Sequence, residues 1–195
     1  MRFDSTFHLC KSTSPTVLHI LNYCPTALNQ KHFTWRHDSI LLKLFSFMRS
    51  FLEEEDVLYA DLPGKRASEN PTSTVPVSIL ATSARPDMVL IRSMEITLIE
   101  LTVPFNSREN LNNARARKSQ KSSYLELLGD LEVKGYSASL VTCEISSLSH
   151  SLPVCLKDIQ ELFPSVPRSF IRAMFDTAAK SPSLPPSRYS WPAKI

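Results

Sequence analysis

The stretch RPDMVLIRSMEITLIELTVPFNSREN, residues 85–110, decides the fold. Met88–Ile91 is a continuous apolar run and Ile96–Val103 alternates with a period of two, so both read as β-strands. Arg92, Ser93, Met94 and Glu95 between them make a tight hairpin connection, and the two strands become antiparallel neighbours. Pro104 stops the second strand. Asn106, three residues before Glu109, is a capping-box-like start for a long helix reaching Leu128.

Working outward, Asp38 is a suitable N-cap for an upstream helix whose stripe is Leu41, Leu44, Phe45, Met48, Phe51 and Leu52. The acidic run Glu53–Asp56 ends it, Val57–Ala60 reads as a short strand, and residues 64–76 read as a polar loop after the turn at Pro63-Gly64. Downstream, Gly129 or Gly135 ends the long helix and Leu140–Ile145 is a further strand. Leu156–Phe163 and Phe170–Ala179 are short helices separated by Pro164 and Pro167. The expected class is α/β, a mixed sheet flanked by helices. It divides into an irregular leader (1–35) with a short apolar helix near Val17–Leu21, a core (36–163), a C-terminal helix (164–180) and a disordered proline-rich tail (181–195).

Composition narrows the function classes. Of the 195 residues, 43% are hydrophobic and 21% charged, the profile of a globular protein. A net charge of +3 does not by itself imply a nucleic-acid partner. Its distribution says more: between Asn106 and Tyr124 stand Arg108, Arg115, Arg117, Lys118 and Lys121 against the single acid Glu109. That excess suits a phosphate-facing surface, with a solvated helix face as the plain alternative. The N-terminus lacks an apolar signal-peptide core, and no stretch is long enough for a membrane span. An intracellular setting is expected, with Cys10, Cys24, Cys143 and Cys155 as thiols or metal ligands rather than disulfides.

Two features carry chemistry. Asp87 opens the first hairpin strand and Glu100 lies in the second, so both carboxylates reach one end of the sheet. A glutamate inside an apolar strand is costly unless paired or metal-bound. In the following helix, Leu111, Ala114, Lys118, Lys121, Leu125 and Leu128 fall at helical spacing, which puts two lysines on the stripe expected to face the sheet. Tyr124 lies beside them. Two hard carboxylates suit Mg2+, and a neighbouring lysine suits the charge of a phosphoryl transition state. Neither a Ser-His-Asp arrangement nor a glycine-rich phosphate loop competes.

Residues 85–110, with NARARKSQKSSYLELL (Asn113–Leu128) behind them, resemble the restriction-like PD-(D/E)XK endonuclease domain of site-specific non-LTR retrotransposons. The resemblance covers roughly residues 8–163 and puts the family's proline-aspartate on Pro86-Asp87 and its second acid on Glu100. Thr102 stands where the simplest pattern has a lysine; in this branch the next helix supplies it, which points to Lys118, with Lys121 and Tyr124 close by. The resemblance implies a PD-(D/E)XK core using Mg2+ or Mn2+, held by Asp87 and Glu100, to nick target DNA and prime reverse transcription. TWRHDSILLKL (Thr34–Leu44) is also family-like, making Arg36 and His37 candidate DNA contacts beside Arg108, Arg115 and Arg117. The partners implied are target DNA and, through a parent polyprotein, the element's RNA, with no membrane or small-molecule substrate and a nuclear location. The chain then reads as a C-terminal fragment of such an element.

The same elements carry a C-x-x-C-x8-H-x4-C zinc knuckle ahead of the nuclease. Cys10, His19 and Cys24 keep the C-x8-H-x4-C part, but Phe7 occupies the place of the first cysteine. Three ligands do not close a structural zinc site, so zinc is not expected. Two readings stay open: an active Mg-dependent endonuclease, or a catalytically inactive nucleic-acid-binding remnant of the same element.

Overall fold

The two hairpin strands form as their pattern requires: β2 (Met88–Arg92) and β3 (Glu95–Thr102) pair antiparallel with Met88 opposite Ile99 and Arg92 opposite Glu95. This is a computed structural model that describes residues 10, 16, 19, 24–29, 31–67, 73–80, 85–105, 107–146 and 150–180. Ser93 turns the hairpin with φ +51°, in the left-handed region. β1 (Val57–Ala60) adds antiparallel to β2, and β4 (Ser137–Glu144) adds parallel to β3, for a sheet ordered β1-β2-β3-β4. The mixed α/β class is therefore present. Two helices, α3 (Arg108–Ser119) and α4 (Ser122–Val133), make the crossover that a parallel pair needs.

The period of two sorts the sheet into two apolar faces. Met88, Leu90, Ile99, Leu101 and Cys143 join a core with α2 (His32–Arg49), α5 (Pro153–Leu162) and α6 (Arg168–Ala179). Val89, Ile96 and Leu98 pack on the other face against Tyr124, Leu127 and Leu131 of α4 and against Val75 and Leu80. α6 is part of the first core, since Ile171, Met174, Phe175 and Ala178 are buried within it. Removing one fully buried leucine such as Leu98 would cost about 2–5 kcal/mol.

Three local expectations are corrected. The long helix is two helices: Gln120 caps the first and Lys121 turns extended with ψ 115° before the second. Ser119 donates its hydroxyl to the carbonyls of Arg115 and Ala116, a side-chain competition that weakens continuation of the helix. The break rotates the apolar stripe, so Tyr124 and Leu127 are buried while Leu125 is 54% exposed. Ser107 is the N-cap, its hydroxyl accepting from the Asn110 amide at 3.0 Å; Asn106 lies outside the described residues. The upstream helix begins at His32, six residues before Asp38, and its first turns bury Arg36.

Residues 64–76 are more than a polar loop: of those described, Ala67, Ser73, Thr74 and Val75 are buried. Gly135, not Gly129, ends α4, with φ +89° where an L side chain is strained; Gly129 lies inside the helix. The proposed helix at Val17–Leu21, His19 apart, and the 181–195 tail fall outside the described residues. A short α1 (Pro25–Asn29) precedes α2 in the leader. No helix among the described residues is long and apolar enough to cross a membrane.

Candidate active site

Pro86 fixes the entry to β2, and its carbonyl accepts the hydroxyl of buried Thr74 at 2.8 Å. Asp87 therefore starts from an anchored position. The register that puts Met88 opposite Ile99 carries on to set Asp87 opposite Glu100, on one face of the sheet. The two side chains then bond across the ladder's end: the Asp87 amide donates to Glu100 Oε1 at 3.1 Å, and the Leu101 amide donates to Asp87 Oδ2 at 2.7 Å. Each carboxylate is held by the backbone of the strand opposite, which leaves little freedom in where its oxygens point.

The helices bring the positive charge. α3 lies against β4 so that Lys118, in its last turn, places Nζ 2.5 Å from Glu100 Oε2. Tyr124, buried at the start of α4, donates its hydroxyl to Glu100 as well. The break between the two helices leaves Lys121 exposed, with its ammonium 4.3 Å from the centre of the Tyr124 ring. From the opposite side α2 supplies His37, whose Nε2 is 3.4 Å from Asp87 Oδ1 and whose Nδ1 is 3.1 Å from Asp38 Oδ1.

Electrostatics follow from that packing. Glu100 is 1% exposed, and its carboxyl is pushed up by burial and by the charge of Asp87, with Lys118 and Tyr124 pulling the other way. The Tyr124 hydroxyl is pushed up by burial and by the neighbouring Glu100 and Asp87 charges. Burial lowers the His37 pKa, yet hydrogen bonds and charge from Asp87 and Asp38 outweigh it and raise the imidazole to about 9. Two hard carboxylates side by side, one deeply buried and repelled by the other, form a donor set that fits a divalent cation.

The expected basic surface is redistributed. Arg108 and Arg117 are exposed on α3. Arg36 is only 5% exposed, its guanidinium 5.3 Å from the Phe33 ring centre, so it is not a surface contact. Arg115 points inward, donating to the Thr142 carbonyl at 3.3 Å, to Glu144 at 3.2 Å and to Asp158. Packing of α3 on β4 and α5 turned a residue that looked phosphate-facing into an internal ion pair. The residues that pattern reading missed are Asp61, Arg66, Arg85 and Glu144. Glu144 carried the same signal as Glu100, an acid in an apolar strand; Asp61 carried only its place directly after Val57–Ala60.

Away from the sheet, Cys10, His19 and Cys24 come together: Cys10 Sγ is 3.2 Å from His19 Nε2, and the three donor atoms lie within 4.8 Å of one another. Two thiols and an imidazole are a zinc-type set, and no fourth His, Cys, Asp or Glu joins them among the described residues. Phe7 lies outside the described residues. A scan against protein-family models finds no match for the chain, and a search of the curated proteins finds no relative.

Proposed function

We propose that the chain is a Mg-dependent DNA endonuclease of the PD-(D/E)XK kind, derived from a non-LTR retrotransposon, that nicks target DNA to prime reverse transcription. The observation that carries this reading is the meeting of Asp87, Glu100 and Lys118 from three separate elements at one end of the sheet. Asp87 and Glu100 would hold Mg2+ or Mn2+, which when bound activates water and offsets charge on the phosphate.

The chain's own residues do the rest. Lys118 keeps a positive charge against Glu100 and presents it where the pentacovalent phosphorus gains negative charge. Tyr124 and the amides of Asp87 and Leu101 hold the two carboxylates in register, so little reorganisation is needed on binding. His37 holds the outer oxygen of Asp87 and adds positive charge on the α2 side. Exposed Arg108, Arg117 and Lys121 supply the salt-dependent attraction for a DNA backbone. A nuclease of this kind would act on nuclear DNA.

A supercoiled-plasmid assay tests the reading. Nicking should require Mg2+ or Mn2+, stop in chelator, and be lost in Glu100→Gln. A folded chain that binds DNA but never nicks it would replace this reading with that of an inactive binding remnant.

A further inference from the structure

A third carboxylate stands in line with the first two. Asp61 directly follows β1, and the register that pairs Ala60 with Met88 sets it beside Asp87. Its amide donates to the Asp87 carbonyl at 2.8 Å, which fixes its backbone to the same sheet end. The Asp61 side chain is 20% exposed and receives two guanidinium groups on one oxygen: Arg66 Nε at 2.5 Å and Arg85 Nη2 at 2.7 Å. Arg85 is also close by sequence, being two residues before Asp87 and joined to it through the rigid Pro86.

One acid and two arginines leave a net positive charge next to an acidic pair. Each guanidinium carries five N–H donors, and Asp61 uses one from each. Among the described residues the remaining donors have no other partner. Half-exposed ion pairs of this kind contribute little to stability in water. An arginine held still by one acid while its other edge faces solvent is, in contrast, a prepared bidentate site for a phosphate.

We infer that Asp61 holds Arg66 and Arg85 as a fork that grips a DNA backbone phosphate neighbouring the one cut at Asp87 and Glu100. This rests on the nuclease reading above. Asp61 is a positioning residue: it aims the two cations and keeps them from repelling each other, without touching the reacting phosphorus. The fork lies on the β1 side of the carboxylate pair and Lys118 on the α3 side, so a strand crossing the sheet end meets positive charge on both sides of the cut.

The test uses the full chain with a short duplex and with the same sequence as a single strand. Equilibrium binding is followed against NaCl in EDTA, and nicking in Mg2+. Arg66→Met with Arg85→Met should weaken duplex binding at least about tenfold and lower the slope of log affinity against log salt by about 0.9 for the lost phosphate. Asp61→Asn keeps both cations, so its salt slope should stay as in the parent chain while its kcat for nicking drops several-fold. A parent chain that nicks, beside a double variant with unchanged affinity, slope and KM, overturns the fork alone. A folded parent chain that neither nicks nor binds DNA removes the nuclease reading and the fork with it. Arg85→Met alone, at a side chain 47% exposed, gives the same comparison if the double variant does not fold.

Discussion

Glu100 and Glu144 are both fully buried glutamates on neighbouring parallel strands, on the same sheet face, and each meets a basic residue from α3. Lys118 and Arg115 are three residues apart on that helix, so the two pairs look like repeats of one motif. Their surroundings separate them. Arg115 is shared between Glu144 and Asp158, and the Cys155 thiol donates to Glu144 at 2.8 Å, all under the cover of α5. That thiol is pushed up to about 12 by burial and by Glu144, so it stays protonated. Glu100 instead has a second acid, Asp87, beside it and a half-exposed histidine beyond. One glutamate is an internal tie between β4, α3 and α5; the other belongs to a cluster with unbalanced like charge. A buried acid in an apolar strand is thus not in itself a site. An adjacent second acid makes the difference.

The largest expected effect lies in activity at the Glu100 end. Glu100→Gln should lower Mg-dependent nicking by at least about 100-fold while the melting temperature holds, because a repelled buried charge is removed. Lys118→Met should lower nicking by about 100- to 1,000-fold with DNA binding largely retained. Unchanged nicking in the methionine variant would assign the transition-state charge elsewhere, with Lys121 next in line.

At Glu144 the effect should be one of stability. Glu144→Ala removes the buried acid shared by Arg115 and the Cys155 thiol, leaving Arg115 with Asp158 and the Thr142 carbonyl, and should cost about 1.5–3 kcal/mol in chemical denaturation. Nicking per folded molecule should persist. Loss of nicking with full stability would erase the contrast between the two glutamates.

A smaller effect follows from the raised pKa values. The pairing of His37 with Asp87 and Asp38 stabilises the fold fully below pH 6.5 and is lost as pH rises through about 9. Glu100 is an acid with a raised value, so its folded form also favours the proton and loses stability as pH climbs from the usual carboxylate range. Melting temperature in EDTA should therefore fall as pH rises. Mg2+ should flatten that slope by screening Asp87 from both groups, and His37→Gln should remove the part between 6.5 and 9. A flat profile in EDTA would mean that these contacts do not form in solution.

The smallest effect should come from zinc. With three donors and no fourth among the described residues, Cys10, His19 and Cys24 should hold zinc only weakly, below one equivalent after dialysis, and Cys24→Ser should leave nicking unchanged. Zinc-dependent nicking would link the leader to the carboxylate cluster.

What could be read in the linear chain was periodic or adjacent. The hairpin 88–103 showed as an apolar run followed by an alternating one, and the period of two carried the face on which Glu100 lies. Asp87 was legible because Pro86 marks a strand start, and Lys118 because a lysine on an apolar stripe is out of place. The break at Gln120–Lys121 was not legible, since serines next to a helix-compatible run are compatible with either outcome until a sheet surface selects which side chains are buried.

By itself, then, the sequence determined the strands, the mixed sheet and the acid–acid–lysine set, because each depends on local spacing and on the cost of burying charge. Tertiary structure alone decided which arginines face inward, which of two similar glutamates stands beside another acid, and that Asp61 gathers Arg66 and Arg85. Those choices depend on contacts between residues distant in the chain, where a side chain's role is set by the partner that packing brings to it.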